Sequence, residues 1–332
     1  MRVIVGRPRP HALQLAHPDR DLFEALVVGE MRRGGGGHRL VLCGGFGVKV
    51  AMTIPGGAGP AQGRTRRSGW GIEFGKASKE ACVQTFQSNG AEIAFLDEGQ
   101  GEPILLIHGF ASNATVNWVD TGWVRHLTRD GRRVIAMDCR GHGASAKFYA
   151  PADYGAAVMS EDPKRLLDHL ELERADIMGY SMGARHAAFL AIAQPTRVRS
   201  VIFGGLGSNM VRPIAGTGPI ATALEAASMD EVTNGTARTF RAFAESTNSD
   251  LKALAACIRS AREPVKAESL ATMRCPALVA VGSDDVIGGT AEGLARHIPG
   301  AEAFVIEGRD HMKAVGDRTY KDAVTAFLKR RK

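Results

Sequence analysis

The chain has 332 residues, of which 44% are hydrophobic and 23% charged, with a formal net charge of +7. That length suits one large domain or two ordinary ones, and the composition is that of a globular chain. No stretch approaches the roughly 18 apolar residues that span a bilayer as a helix, and no membrane-spanning helix is expected. The charge is unevenly placed: residues 1–82 hold 13 Lys+Arg against 6 Asp+Glu, and the remaining 29 and 29 cancel. The basic excess therefore describes the first quarter of the chain alone and does not mark a nucleic-acid binder. Five scattered cysteines (Cys43, Cys82, Cys139, Cys257, Cys275), odd in number and without a CxxC spacing, argue for reduced thiols in the cytoplasm and against a disulfide framework. Neither they nor the ten histidines show a metal-ligand spacing, and no cofactor or metal is expected.

In chain order, residues 1–82 come first, with 16 of the 40 glycines, the runs GGGG (34–37) and PGGAGPAQG (55–63), and the basic RTRR (64–67). No helical or strand period lasts there, so the segment is expected to be disordered. LVLCGGFG lacks the third glycine of a dinucleotide loop. Arg32-Arg33 is followed by GGGG rather than an export signal, and Leu42 is too large for a lipoprotein box. A mis-assigned start is a second expectation for 1–82, because Val83 stands where a GTG start codon would read as valine.

From residue 83 the pattern is regular. TFQSNGAEIAFLDEG reads as a hairpin with SNG at its turn. EPILLIHG (102–109), RRVIAMDC (132–139), ADIMGYS (175–181), RSVIFGG (199–205), PALVAVGS (276–283) and AEAFVIEG (301–308) are short apolar runs of the kind buried in parallel sheets. Helical patterns separate most of them, and the last helix shows a stripe at Tyr320, Ala323, Val324, Phe327 and Leu328. The alternation predicts an α/β fold, a mostly parallel doubly wound sheet with active groups at the carboxyl ends of its strands. Residues 206–265 contain helical runs (PIATALEAAS, RTFRAFAES, DLKALAACIRSA) and no strand, which predicts a small helical cap. Asp162 before Pro163 reads as the N-cap of a helix.

GYSMG (179–183) matches G-x-S-x-G between a strand and a helix, the setting of a nucleophile elbow. A serine there also suits a plain N-cap, so partners have to decide. A nucleophilic serine needs a base, and the base an orienting acid. Later strand ends supply Asp284 and Asp285 in VAVGSDDVIG, then Asp310 and His311 in VIEGRDHMKA. Ser181, Asp285 and His311 are the expected catalytic set, Asp285 being chosen over Asp284 for its place three residues after Gly282. Asp310 is expected to be a loop residue, since adjacent side chains rarely face each other. The oxyanion needs two backbone N–H donors, expected from Met182 and from Phe110 after LLIHG. His108 is expected to brace that loop.

These residues carry a resemblance. HGF (108–110), MDCRGHGAS (137–145), GYSMG, GSDD and RDHM place residues 84–332 in the likeness of the α/β-hydrolase fold with a small helical cap. In that family DxRGHGxS, here Asp138, Arg140, Gly141, His142, Gly143 and Ser145, braces the turn after a central strand. Ala184 stands where many members carry a second glycine. The resemblance implies a serine hydrolase acting on a small-molecule acyl substrate, an ester, thioester or lactone. C–C bond hydrolysis, the cofactor-free haloperoxidase (perhydrolase) branch with its Met after the serine, and a hydrolase-fold receptor with little turnover are the alternatives. Neither nucleic acid nor membrane is an expected partner, and oligomeric state is not legible.

Overall fold

The computed structural model describes residues 28–34, 37–44, 48–55 and 83–331, the last without 214–215 and 261–262. The chain divides into two units, residues 1–82 and 83–332. In the first, β1 (Val28–Gly34), β2 (Gly37–Gly44) and β3 (Val48–Pro55) form an antiparallel sheet in the order β1-β2-β3. The expectation that no strand lasts in this segment is therefore corrected. Its glycines hide the period-2 signal, and strand pairing depends on backbone groups that glycine retains. The expected disorder of the rest of 1–82 lies outside the described residues.

The second unit is built on an eight-stranded sheet of order β11-β10-β9-β8-β6-β7-β5-β4. Its strands are β4 (Gln84–Ser88), β5 (Ala91–Glu98), β6 (Glu102–Ile107), β7 (Arg132–Met137), β8 (Ala175–Tyr180), β9 (Val198–Gly204), β10 (Ala277–Gly282) and β11 (Glu302–Ile306). All neighbours from β7 across to β11 are parallel, and β5 runs antiparallel to both β4 and β7. Every residue of β8 and β10 is buried, as strands covered on both faces require. The chain leaves β6 toward β7 on one side and returns to β8 on the other. That reversal is a topological switch point at the carboxyl ends of β6 and β8, the place where loops diverge and open α/β sheets take their ligands.

The helices are α1 (Trp123–Arg129), α2 (Ala156–Met159), α3 (Glu161–His169), α4 (Met182–Ala193), α5 (Thr217–Glu225), α6 (Gly235–Ser246), α7 (Leu251–Arg259), α8 (Ala267–Leu270), α9 (Ala291–Ala295), α10 (His311–Ala314) and α11 (Arg318–Arg330). The apolar stripe of α11 is buried at Tyr320, Val324, Phe327 and Leu328, with the Tyr320 ring 5.0 Å from that of Trp123 on α1. Helices α5 to α8 fill the interval between β9 and β10, with no strand among its described residues.

Asp162 is not an N-cap. Helix α3 begins at Glu161 after Ser160, so Pro163 falls within the first turn, where backbone N–H groups have no intrahelical partner in any case. The buried Asp162 carboxylate instead takes a two-pronged ion pair from Arg140, at 2.8 and 2.7 Å, and the Ser88 hydroxyl at 2.6 Å. A guanidinium leaving water needs that geometry, and it outbids a local cap.

The same brace runs through the rest of DxRGHGxS. Asp138 accepts from the amides of Ala114 and Ala144, both at 2.7 Å. Ser145 donates to the Asp138 carbonyl at 2.7 Å and accepts from Ala94 N at 2.9 Å. The motif thus stitches the end of β7 to β5 and to the segment after β6.

Candidate active site

Ser181 sits between β8 and α4 with φ 54° and ψ −110°, a backbone conformation that residues with a side chain rarely adopt. The flanking glycines make it possible. A Cβ on Gly179 would stand 2.2 Å from the Gly183 carbonyl oxygen, and one on Gly183 would stand 2.0 Å from that of Ile107. No larger residue fits either place, which explains the G-x-S-x-G spacing in this chain. The turn is held by Ser181 N donating to the Gly204 carbonyl at 2.8 Å. Although Ser181 stands at the N-cap position of α4, its hydroxyl caps nothing. It faces His311 instead, with Oγ 3.0 Å from Nε2. Buried Ala184 shows that the helix packs closely without a further glycine.

His311 opens α10, after β11. Its Nδ1 lies 2.8 Å from Asp285 Oδ2. A carboxylate only accepts here, so Nδ1 carries the proton and Nε2 is left to accept from the serine hydroxyl. Asp285 comes from the loop after β10, where its N donates to the Gly282 carbonyl at 3.1 Å. Its other oxygen, Oδ1, accepts from the amides of Ile287 at 2.9 Å and Gly288 at 2.7 Å. Three loops of one sheet end thus converge in a row Ser181–His311–Asp285.

The neighbouring acids are elsewhere. Asp284 is exposed and bonds to its neighbour Ser283 Oγ at 2.9 Å. Asp310 caps α10, accepting from Met312 N and Lys313 N at 3.0 and 2.9 Å. Those amides, after opposing burial, together with Lys313, hold its carboxyl below the usual range.

The loop after β6 lies against the serine. A Cβ on Gly109 would stand 3.4 Å from Ser181 Cβ, so the loop that leads into Phe110 passes beside the nucleophile, while Met182 follows Ser181 as the first residue of α4. His108, fully buried, reaches further than a bond within its own loop. It donates through Nδ1 to the Gly109 carbonyl at 2.7 Å and accepts from Cys139 N through Nε2 at 2.9 Å. Burial pushes its pKa down, keeping the ring neutral so that Nε2 can accept.

Four positioning residues had no signal in the sequence. Asn117 Oδ1 accepts from Gly109 N at 3.2 Å, and its buried Nδ2 has no partner among the described residues. Tyr180, the first of the two variable residues of the pentapeptide, donates its hydroxyl to the His311 carbonyl at 2.6 Å and so ties the nucleophile strand to the histidine loop. Thr247, at the end of α6, donates to the Ala111 carbonyl at 2.9 Å, and Phe240 of α6 lies 5.9 Å from the Phe110 ring. These two contacts hold α6 against the loop that carries Phe110 and Ala111. Among the described residues no cluster of His, Cys, Asp and Glu could hold a metal ion, and no helix is long and apolar enough to cross a membrane.

Comparison with known proteins agrees with this architecture. Residues 102–214 match the family described as alpha/beta hydrolase fold. A 2-hydroxymuconate semialdehyde hydrolase of Pseudomonas sp. (strain CF600) is 38% identical over 109 residues, covering 33% of this chain and 38% of that one. The chain thus spans less than half the length of that curated relative. Among solved structures, a hydrolase from Pseudomonas aeruginosa PA01 superposes with a TM-score of 0.63 at 25% identity, covering 74% of this chain and 98% of its own. The enol-lactonase from Burkholderia xenovorans LB400 gives 0.59 at 22% identity, over 74% and 100%, a likeness of fold. The sheet order, the elbow at Ser181 and the match over residues 102–214 agree that the chain has the α/β-hydrolase fold.

Proposed function

We propose that this chain is a serine hydrolase that cleaves a small carboxylic ester, thioester or lactone through an acyl-enzyme at Ser181. The observation that carries the reading is the hydrogen-bonded row of Ser181, His311 and Asp285 on a strained elbow. His311 Nε2 takes the hydroxyl proton as Ser181 Oγ attacks the acyl carbon. The backbone amides of Phe110 and Met182 flank the oxyanion that forms. His311 then returns the proton to the leaving oxygen or sulfur, and water repeats the sequence to free the acid. Asp285 holds the imidazole in the tautomer this requires and balances its transient charge.

The test is hydrolysis of p-nitrophenyl acetate and butyrate by wild type and by Ser181→Ala. Loss of at least about a thousandfold in kcat in a variant that melts like wild type supports the reading. Wild-type turnover by the variant overturns it, and ligand-induced stabilisation without turnover would instead assign a receptor. A second reading, hydrolysis of a C–C bond next to a carbonyl, is favoured by the similarity to the semialdehyde hydrolase. It uses the same row, and a higher kcat/KM on 2-hydroxymuconate semialdehyde than on the esters would select it.

A further inference from the structure

Between α1 and α11 lies a hollow of about 400 Å3 that the chemistry above does not use. Arg125 and Arg129 of α1 and Lys321 of α11 line it. Among the described residues neither arginine has an ion-pair partner. The Lys321 ammonium donates to two backbone carbonyls, Thr121 at 2.5 Å and Gly316 at 3.0 Å, and meets no carboxylate at bonding distance. Asp130, the acidic side chain on the lining, is already engaged by Lys329 at 2.8 Å and by Arg132 at 3.4 Å. Arg125 and Lys321 converge on Gly122. A methyl group built there would stand 3.4 Å from Arg125 Nη2 and 3.8 Å from Lys321 Nζ, so two like charges share one floor with no side chain between them. Burial and then the Arg125 charge lower the lysine pKa, and Asp317 and Asp322 offset this only in part.

We propose that this hollow is a binding site for a small organic anion carrying two or more negative charges, of the phosphate or carboxylate kind. Three cations that line one hollow, none of them in an ion pair among the described residues, repel one another, and a bound polyanion relieves that repulsion. The guanidinium forks match the paired oxygens of either group, and the ammonium adds a point charge with a donor to spare. The volume accommodates a molecule larger than inorganic phosphate. His126 and Thr325, bonded to each other at 2.8 Å, add polar wall on one side.

The test uses the full chain and does not involve turnover. Pyrophosphate and citrate are titrated by calorimetry and in thermal melts, at ionic strength held constant with sodium chloride. The expected result is saturable one-to-one binding, with a melting temperature that climbs with anion concentration as mass action requires. The double variant Arg125→Gln/Arg129→Gln should melt like wild type without anion and bind at least about tenfold more weakly, as loss of two charged forks implies. If the double variant does not fold, the single variant Arg125→Gln carries the comparison, with weaker binding expected. Preference for pyrophosphate assigns a phosphorylated ligand, and preference for citrate a polycarboxylate. Absence of saturable binding, a shift no larger than chloride alone produces, or unchanged affinity in the variants overturns the proposal. Binding of long polyanions alone, with neither small anion saturating, overturns it as well.

Discussion

The substitution Asp285→Asn isolates the orienting role with little change of shape. In the structure Asp285 Oδ1 accepts from two backbone amides, at 2.9 and 2.7 Å, so that position has to remain an oxygen. The new NH2 group is then forced to the Oδ2 position, 2.8 Å from His311 Nδ1. Two donors cannot face each other there, so the imidazole moves its proton to Nε2 and presents a donor to Ser181. That tautomer cannot take the serine proton. A wrong-tautomer defect of this kind lowers kcat by about 10^4, or about 5 kcal/mol of barrier. Asp284→Asn is the control, because the Asp284 side chain is exposed and accepts from its neighbour Ser283 Oγ at 2.9 Å. Its kcat/KM should stay within about twofold of wild type, less than about 0.5 kcal/mol. The assay is kcat/KM on p-nitrophenyl butyrate with a thermal melt of each variant. Equal losses in the two variants, or a larger loss at Asp284, would refute the assignment of Asp285.

Three further outcomes are expected. Asp317 caps α11 through Thr319 N at 2.7 Å and pairs with Arg309 at 2.7 Å. Against burial, which raises it, the Thr319 hydrogen bonds and Arg309 lower its pKa to about 2. A depressed carboxyl stabilises the fold above its unfolded value near 3.9, and that contribution is lost as pH falls toward 2. Melts at pH 5 should show Asp317→Ala less stable by about 1 kcal/mol, a gap that closes in acid; a gap independent of pH would count against this. Among its described residues the interval between β9 and β10 is built of α5 to α8 and two short 3-10 turns, so kcat/KM should be higher on acetate or butyrate esters than on long-chain triglyceride, and the reverse ranking would exclude a small enclosed acyl site. A chain beginning at Val83 should melt cooperatively and keep kcat/KM within about twofold of the full chain, below about 0.5 kcal/mol in barrier; failure to fold would show that residues 1–82 are needed.

Much of this fold is local in origin and therefore legible in the chain. The strands from β6 to β10 announce themselves as short apolar runs, because a strand covered on both faces has no polar side to show, and β4 and β5 show themselves as a hairpin through the SNG turn. The elbow is equally local. Gly179 and Gly183 are demanded by carbonyls 2.2 and 2.0 Å from where a side chain would begin, so the pentapeptide carries its own backbone constraint. The order Ser181, Asp285, His311 follows from which strands end at one edge of a parallel sheet.

Other features exist only once distant segments meet. Asp162 looks like a cap in its own neighbourhood and becomes the counter-ion of Arg140, 22 residues away, because a buried guanidinium needs a carboxylate more than a helix start needs a cap. Tyr180 and His311 are 131 residues apart, and Asn117 reaches Gly109 from a short turn with no sequence signature. β1, β2 and β3 are strands despite glycine-rich surroundings, since pairing is a property of two backbones and not of one side-chain pattern. Arg125, Arg129 and Lys321 read as ordinary surface charges along two separate helices. Their convergence on one hollow is set by the packing of α1 against α11 around Trp123 and Tyr320, a long-range contact that no window of sequence contains.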